Sequence, residues 1–419
     1  LANIGFTPQL KTFKEIVAHY KQRFGYTEHY SHPSQVHANT KVSVVIPSFN
    51  EEPQETLTSL GLNDVNHDLV EVILVINHSE NTNEKIKLKH REQARLYDNY
   101  KLKNGVEVKV IKAFDLPPKQ AGVGLARKIG MDTALARFAS IDHDGLIVCF
   151  DADSTVSDNY LQQLINAETQ DINGLSIAFK HPLYNSLNQE DRFRIQSYEL
   201  WLRYYIQALR FVGYPHAYHT IGSSMAVRCS AYAKIGGMNR RKAGEDFYFL
   251  HKLIPQGRFF DLTECSVWPS ARVSDRVPFG TGRAMMEMKS GDKDFSQVYN
   301  AKIFIEIQKW WNHKEAIIAM QTEQWPSFVA DAFAEYNWLE GLIALGKRSS
   351  SSTVFFRNFS FWFDGFKMLK LVHYARDHYY PNTLNVRVCK ELLGTVGADT
   401  SAVLEELTYM DFNSPFTYF

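Results

Sequence analysis

The sequence predicts an α/β protein, with a mostly parallel central sheet flanked by helices and a helical C-terminal extension. Three observations carry this. Short β-branched runs alternate with helix-periodic segments between residues 41 and 150. Those runs are continuously apolar instead of alternating, which marks strands buried on both faces. Beyond residue 286 the strand pattern stops and aromatic, helix-periodic sequence takes over.

Residues 1–40 read as an N-terminal helical segment: Phe13, Ile16, Val17 and Tyr20 recur at helical spacing, and a polar His/Ser/Pro stretch follows. Residues 41–47 (KVSVVIP) form the first strand, closed by Pro47. Residues 55–60 follow as a helix, 71–76 as a second strand and 106–111 as a third. Residues 124–138 are helical, with Leu125, Ile129, Met131, Ala134 and Leu135 apolar, and 145–150 are the fourth strand, ending at Asp151. Between 156 and 285 the pattern is mixed: a strand at 176–179, a long aromatic helix at 190–211, and a strand at 222–227 leading into a short helix. Ser349–Ser352 with Thr353 read as an exposed turn. Ligands in parallel α/β sheets bind at the carboxyl ends of the strands, which points to residues 48–54, 77–81, 117–124 and 151–154.

Composition narrows the classes. The chain has 419 residues, with 46 Lys+Arg against 46 Asp+Glu, enough length to bury a core without staples. Zero formal charge argues against a nucleic-acid partner, whose phosphates call for a Lys/Arg excess. Cys149, Cys229, Cys265 and Cys389 follow no metal-ligand spacing and read as buried free thiols, which suits a reducing, cytoplasmic setting. No apolar run reaches the ~18–20 residues of a membrane span, and no signal peptide is visible. Aromatics are abundant, with 28 Phe, 21 Tyr and 7 Trp.

Three motifs carry chemistry. Asp151-Ala152-Asp153 stands directly after a buried strand, and two carboxylates so placed can hold a hard divalent cation; the same triplet also suits an ordinary turn. In the stretch 42–52 the strand stops at Pro47, and Ser48-Phe49-Asn50-Glu51-Glu52 opens a helix toward the ligand edge, serving equally as a helix cap. Glycines at 222, 236, 237 and 244 precede Glu245-Asp246, an acidic pair that also suits a first helical turn. Farther on, Arg272, Arg276 and Arg283 surround Gly280-Thr281-Gly282. Arginine forks suit a diphosphate, and the glycines suit a closing lid.

In order and spacing these motifs resemble the family 2 glycosyltransferases, nucleotide-sugar-dependent enzymes of the GT-A fold. The resemblance rests on residues 42–52, Asp151-Ala152-Asp153, Glu245-Asp246 and the Gly122-Val123-Gly124-Leu125-Ala126-Arg127 helix entry, and covers roughly residues 41–285. It implies a Rossmann-like GT-A domain in two halves, a nucleotide-sugar-binding half at 41–155 and an acceptor and catalytic half at 156–285, with 286–419 as the helical aromatic-rich C-terminal region. It implies Mg²⁺ or Mn²⁺ held by Asp153, with Asp151 on the ribose or assisting the metal. Pro47, Ser48 and Glu51 would line the nucleoside site and Arg127 would support the nucleotide or the Asp motif. Asp246 would be the general base toward an acceptor hydroxyl, oriented by Glu245, and the outcome inverting. The expected enzyme is a hexosyl- or N-acetylhexosaminyl-transferase acting on a glycan, lipid-linked or small-molecule acceptor, with at most a peripheral membrane contact.

Two departures stand out. After the second strand the family usually has an acidic pair at the nucleobase; here Asn77-His78-Ser79 stand there. Asn77 can accept from a uracil imide but also donates, so UDP is favoured while GDP stays open. Lys128 replaces the Asn common beside the arginine and is expected on a solvated helix face, the alternative being a phosphate contact. No His lies in residues 252–312 to serve as a third metal ligand, and His216 and His219 are expected to be structural. The crowded aromatics at 355–366, with Trp310, Trp311, Trp325 and Trp338, are expected mainly to pack, the alternative being an acceptor platform. The competing readings are a sugar-phosphate nucleotidyltransferase, which normally has a Gly-rich loop after the first strand, and an inactive nucleotide- or glycan-binding protein.

Overall fold

The computed structural model describes residues 12–26, 30, 32–183, 187–273 and 280–416. Eight strands form the central sheet: β1 Val42–Ser48, β2 Val70–Ser79, β3 Val108–Leu116, β4 Leu146–Cys149, β5 Thr155–Val156, β6 Gly174–Phe179, β7 Met225–Arg228 and β8 Phe259–Trp268. Their order is β3-β2-β1-β4-β7-β6-β8-β5. The first four pair in parallel, β1 lying between β2 (Val44↔Val72) and β4 (Val44↔Val148). Strand β7 runs antiparallel to both of its neighbours, β8 is again parallel to β6, and β5 antiparallel to β8. The sheet is therefore mixed, with its parallel half where the β-branched runs predicted it.

Alternation of side chains across each pleat builds two cores from one sheet. Val44, Ile46, Val72, Leu74 and Val148 face one layer. Val45, Ile73, Val75, Ile147 and Cys149 face the other, against Leu125, Ile129 and Phe249. The helices over these faces include α1 Phe13–Phe24, α2 Gln54–Gly61, α3 Glu84–Tyr97, α4 Val123–Ser140, α5 Tyr160–Glu168, α6 Gln189–Val212, α7 Cys229–Lys234, α8 Glu245–Leu253 and α9 Thr281–Ser290. Helix α6 starts on Asn188, whose side chain accepts from the Asp191 amide, and stops at Gly213 in the left-handed region (φ 78°).

The C-terminal region is mainly helical, with one short antiparallel pair between Gln297–Val298 and Thr383–Leu384; its helices are α10 Ala301–Asn312, α11 Lys314–Ile318, α12 Ser327–Glu335, α13 Trp338–Arg348, α14 Ser352–Trp362, α15 Gly365–His378, α16 Asn385–Leu393 and α17 Thr400–Asn413. Its aromatics form a core with the back of α6. Trp310 is buried and meets Trp325, Phe333 and Phe363 at ring distances of 5.9, 5.7 and 5.4 Å. Such pairs contribute ~0.5–1.5 kcal/mol each beyond area burial. The packing expectation for this region is met, and the aromatic excess has its explanation there.

Several elements escaped the sequence reading, α5 and α9 among them, and α3 and β8 show why. Helix α3 buries Lys87, His90, Gln93, Ala94 and Tyr97, so its inner face is mostly polar and shows no apolar stripe. Strand β8 carries Asp261, Thr263 and Glu264, and its apolar residues do not form a continuous run.

Lys128 corrects an expectation. It is buried, not solvated: its Nζ donates to the Tyr20 hydroxyl at 2.7 Å and pairs with Asp132 at 3.2 Å. Asp132 also accepts from the hydroxyls of Tyr20 and Tyr232, each at 2.6 Å, and from the Tyr26 amide at 2.9 Å. The cluster fastens α1 to α4, and one ammonium balances its buried carboxylate.

Candidate active site

Strand polarity brings the site together. The carboxyl ends of β1, β2, β4, β6 and β8 share one edge of the sheet, and the reversed strand β7 begins there. At this edge lies a cavity of about 730 Å³, lined by Pro47 near the end of β1 with Phe49 and Glu51 after it, Asn77 and His78 near the end of β2, and Asp151, Asp153 and Ser154 after β4. Phe179 at the end of β6 with His181 after it, Gly222 and Ser223 before β7, and Pro269 and Arg272 after β8 complete that rim. Helix α4 contributes Arg127, α8 contributes Glu245 and Asp246, and α6 contributes Tyr198 and Leu202. The opening between β1 and β4 is the point where strand order reverses, the usual ligand crevice of such sheets.

Arg127 is the centre of charge. Its side chain is only 4% exposed; one terminal nitrogen bonds Asp151 Oδ1 at 2.5 Å and the other bonds Glu245 Oε1. Two glycines make room for this. A Cβ on Gly222 would stand 2.3 Å from Arg127 Nη1, and one on Gly124 would stand 2.2 Å from the Arg241 carbonyl. Gly244, in the left-handed region (φ 66°), opens α8 and turns Glu245 and Asp246 inward. Asp246 Oδ1 accepts from the Phe247 amide at 2.8 Å.

One guanidinium thus bonds two carboxylates, Asp151 and Glu245, and its charge also acts on a third, Asp246. Burial raises the pKa of both Glu245 and Asp246; Arg127 opposes the rise, and their negative neighbours add to it. A carboxylate with raised basicity, half-buried on the wall of a cavity, is what proton removal from a hydroxyl requires.

A second arginine stands at the Asp motif. Arg272 bonds Glu51 and meets Asp153 Oδ2 at 2.7 Å, so β1, β4 and the segment after β8 are tied by one cation. Asp151 and Asp153 fit a hard divalent ion by their chemistry, since magnesium-type ions take one or two carboxylates and leave the other positions to water and phosphate oxygens. Among the described residues no group of three or more His, Cys, Asp or Glu gathers as a metal site. His216 bonds the Ser360 carbonyl at 3.0 Å and His219 bonds Asp411 at 3.1 Å, the structural roles expected of them.

The cavity therefore gathers Pro47, Glu51, Asn77, Arg127, Asp151, Asp153, Glu245, Asp246 and Arg272. Ser48 lies beneath it, buried, its hydroxyl without a partner among the described residues. Arg283 is paired with Glu287 at 2.8 Å, while Gly280, Thr281 and Gly282 reach the cavity. Arg276 lies outside the described residues.

Phe49 falls in the 48–54 loop to which the sequence points, whereas His181 and Tyr198 were not foreseen as wall residues. His181 donates through Nδ1 to Glu199 at 2.8 Å, and its Nε2 faces the Thr281 hydroxyl at 3.0 Å. Glu199 is held down to about 2: burial would raise it, but Arg203 and His181 outweigh that. The rule that found Asp151 would also have found His181, since both follow strands at the same edge.

The fold and its charged edge define a GT-A type α/β domain. Residues 43–236 match the model of glycosyl transferase family 2. Glu245, Asp246 and Arg272 lie beyond the matched residues, so their place in the site rests on the geometry. Solved structures similar to the chain include TarS 1–349 of S. aureus, at 17% identity over 55% of this chain and 61% of that one, with a TM-score of 0.37. Its complex with UDP-GlcNAc matches at 16% over 60% and 66%, TM-score 0.39. The mannosyltransferase PcManGT from Pyrobaculum calidifontis, in complex with GDP-Man and Mn²⁺, matches at 13% over 63% and 65%, TM-score 0.34. The chain thus spans about three fifths of the length of the first of these. No curated protein matches the sequence.

Proposed function

We propose that the chain is a metal-dependent, inverting glycosyltransferase that moves a sugar from a nucleoside-diphosphate sugar, a UDP-sugar ahead of others, to an acceptor hydroxyl. The observation that carries this is the meeting, in one cavity, of the Asp151/Asp153 pair, two arginines and a buried acidic pair of raised basicity. The match of residues 43–236 supports the same reading.

In this mechanism Asp246 takes the proton of the acceptor hydroxyl, and Glu245, anchored on Arg127, orients Asp246 or the acceptor. Attack opposite the leaving diphosphate inverts the anomeric centre. Asp153, assisted by Asp151, would hold Mg²⁺ or Mn²⁺, which supplies charge to the departing diphosphate. Arg272 is placed to turn from Glu51 and Asp153 to the phosphates, and Pro47, Ser48, Glu51 and Asn77 form the nucleoside side. Tyr198, Leu202 and His181 form the opposite wall, where the acceptor would lie. The four cysteines are buried and free, which supports the cytoplasmic placement, and no described helix is long and apolar enough to cross a membrane.

The test is a panel of UDP- and GDP-sugars with Mn²⁺ or Mg²⁺, read as release of nucleoside diphosphate. Asp153→Ala should abolish metal-dependent donor binding, and Arg272→Ala should weaken it. Release of pyrophosphate instead, or no turnover of any donor, would refute the proposal.

A further inference from the structure

Behind the nucleoside side of the cavity, two buried histidines from different elements face each other. His78 ends β2 and His90 lies on α3; their Nδ1 atoms are 3.0 Å apart. His78 is stacked on Phe114 with ring centroids 4.4 Å apart, and Phe49, which lines the cavity, stands edge-on to His90 at 5.7 Å. The Asn50 amide donates to His90 Nε2 at 2.9 Å. Asn50 needs holding, because its backbone is in the left-handed region (φ 52°).

These contacts admit one proton arrangement. An amide N–H can only donate, so His90 Nε2 is an acceptor and the neutral ring carries its proton on Nδ1. That proton is donated to His78 Nδ1, so the His78 proton sits on Nε2, which faces Asp115 Oδ1 at 3.6 Å. A proton added to either ring sets two N–H groups against each other, at the His78–His90 contact or at the Asn50 amide. The rest of α3 grips the same loop: Lys89 donates to Asn50 Oδ1 at 3.3 Å, and Gln93 donates to the Glu51 carbonyl at 2.7 Å.

We propose that the His78–His90 pair is a positioning device of the donor site, holding the Phe49–Glu51 loop in its neutral arrangement and releasing it when either ring is protonated. It rests on the donor-site reading above. The charged groups facing the pair are Asp115 on β3, Lys87, Lys89 and Arg91 on α3, and Glu52 in the loop. Lys87 pairs with Asp115 at 3.2 Å and Lys89 with Glu52 at 2.7 Å. Burial keeps both rings below the ordinary histidine range, with Asp115 partly offsetting at His78, and takes His90 down to about 4. The pair is therefore neutral at pH 7, and release belongs to acid.

Nitrogen-15 spectra of the intact protein at pH 7 should show opposite tautomers, His90 protonated on Nδ1 and His78 on Nε2. His90→Phe leaves the Asn50 amide without its acceptor and should weaken binding of UDP or GDP with Mn²⁺ about tenfold, with turnover at saturating donor nearly unchanged. His90→Gln, whose side-chain oxygen can replace Nε2, should recover most of that affinity and lose the part of the acid fall in affinity that belongs to the pair. Like tautomers or a charged ring at pH 7, or a His90→Phe protein binding as tightly as the parent, would overturn the proposal. If the parent binds neither nucleotide, the donor-site reading falls and the positioning role with it. Wrong tautomers with normal binding remove the positioning role alone.

Discussion

Arg127→Met removes the cation that bonds Asp151 and Glu245 and whose charge also acts on Asp246. Its partners are not equivalent. The Glu245 side chain is 3% exposed and Asp151 is 37% exposed, so water screens Asp151 and most of the loss belongs to Glu245. Breaking a buried pair while leaving its anion in place costs about 3–5 kcal/mol. The loss should depend on pH in a definite direction. Without Arg127 only backbone hydrogen bonds oppose the burial that raises Glu245 and Asp246, so their folded-state pKa values rise further. The gap between parent and variant widens only where the parent's carboxyl has ionised and the variant's has not, from the parent's folded value, about 7 for Glu245, upward. Urea unfolding of parent and variant at pH 6 and 9 measures this. The stability gap should approach about 3–5 kcal/mol at pH 9 and be smaller at pH 6, narrowing by up to ~1.4 kcal/mol per pH unit for each carboxyl titrated in that window. A gap below about 1 kcal/mol, or one that does not change with pH, would refute the shared-cation account.

Gly222→Ala places a methyl group where the Arg127 guanidinium lies, so transfer should fall sharply while the nucleotide-side walls survive; unchanged turnover would mean that Arg127 has slack. Asp246→Asn should keep donor binding and lose transfer by about 10²–10⁴-fold, read by equilibrium binding beside product release. In the parent, the acid limb of transfer should lie above the ~3.9 of an exposed aspartate, because burial raises Asp246, and Asp246→Asn should remove it. Trp310→Ala should cost about 3–5 kcal/mol in an unfolding titration, since Trp310 sits amid the buried aromatic core.

The sequence alone determined the parallel half of the sheet, because strands buried on both faces leave continuous apolar runs that local reading can see. It also pointed to Asp151 and Asp153, because a strand end is a local signal, while Arg127 and Asp246 took their roles only from the family resemblance. Lys128 shows the limit: a lysine in an amphipathic stretch reads as solvated until Tyr20 and Asp132 arrive from elsewhere in the fold. Helix α3 shows it again, since its buried face is polar and its His90 and Gln93 find their partners in a loop some forty residues away. The tertiary structure alone decided that Arg127 joins Asp151 to Glu245, that Arg272 bridges Glu51 and Asp153, and that His78 meets His90. Each joins residues distant in sequence, and the charge balance of a buried group depends on what closes around it.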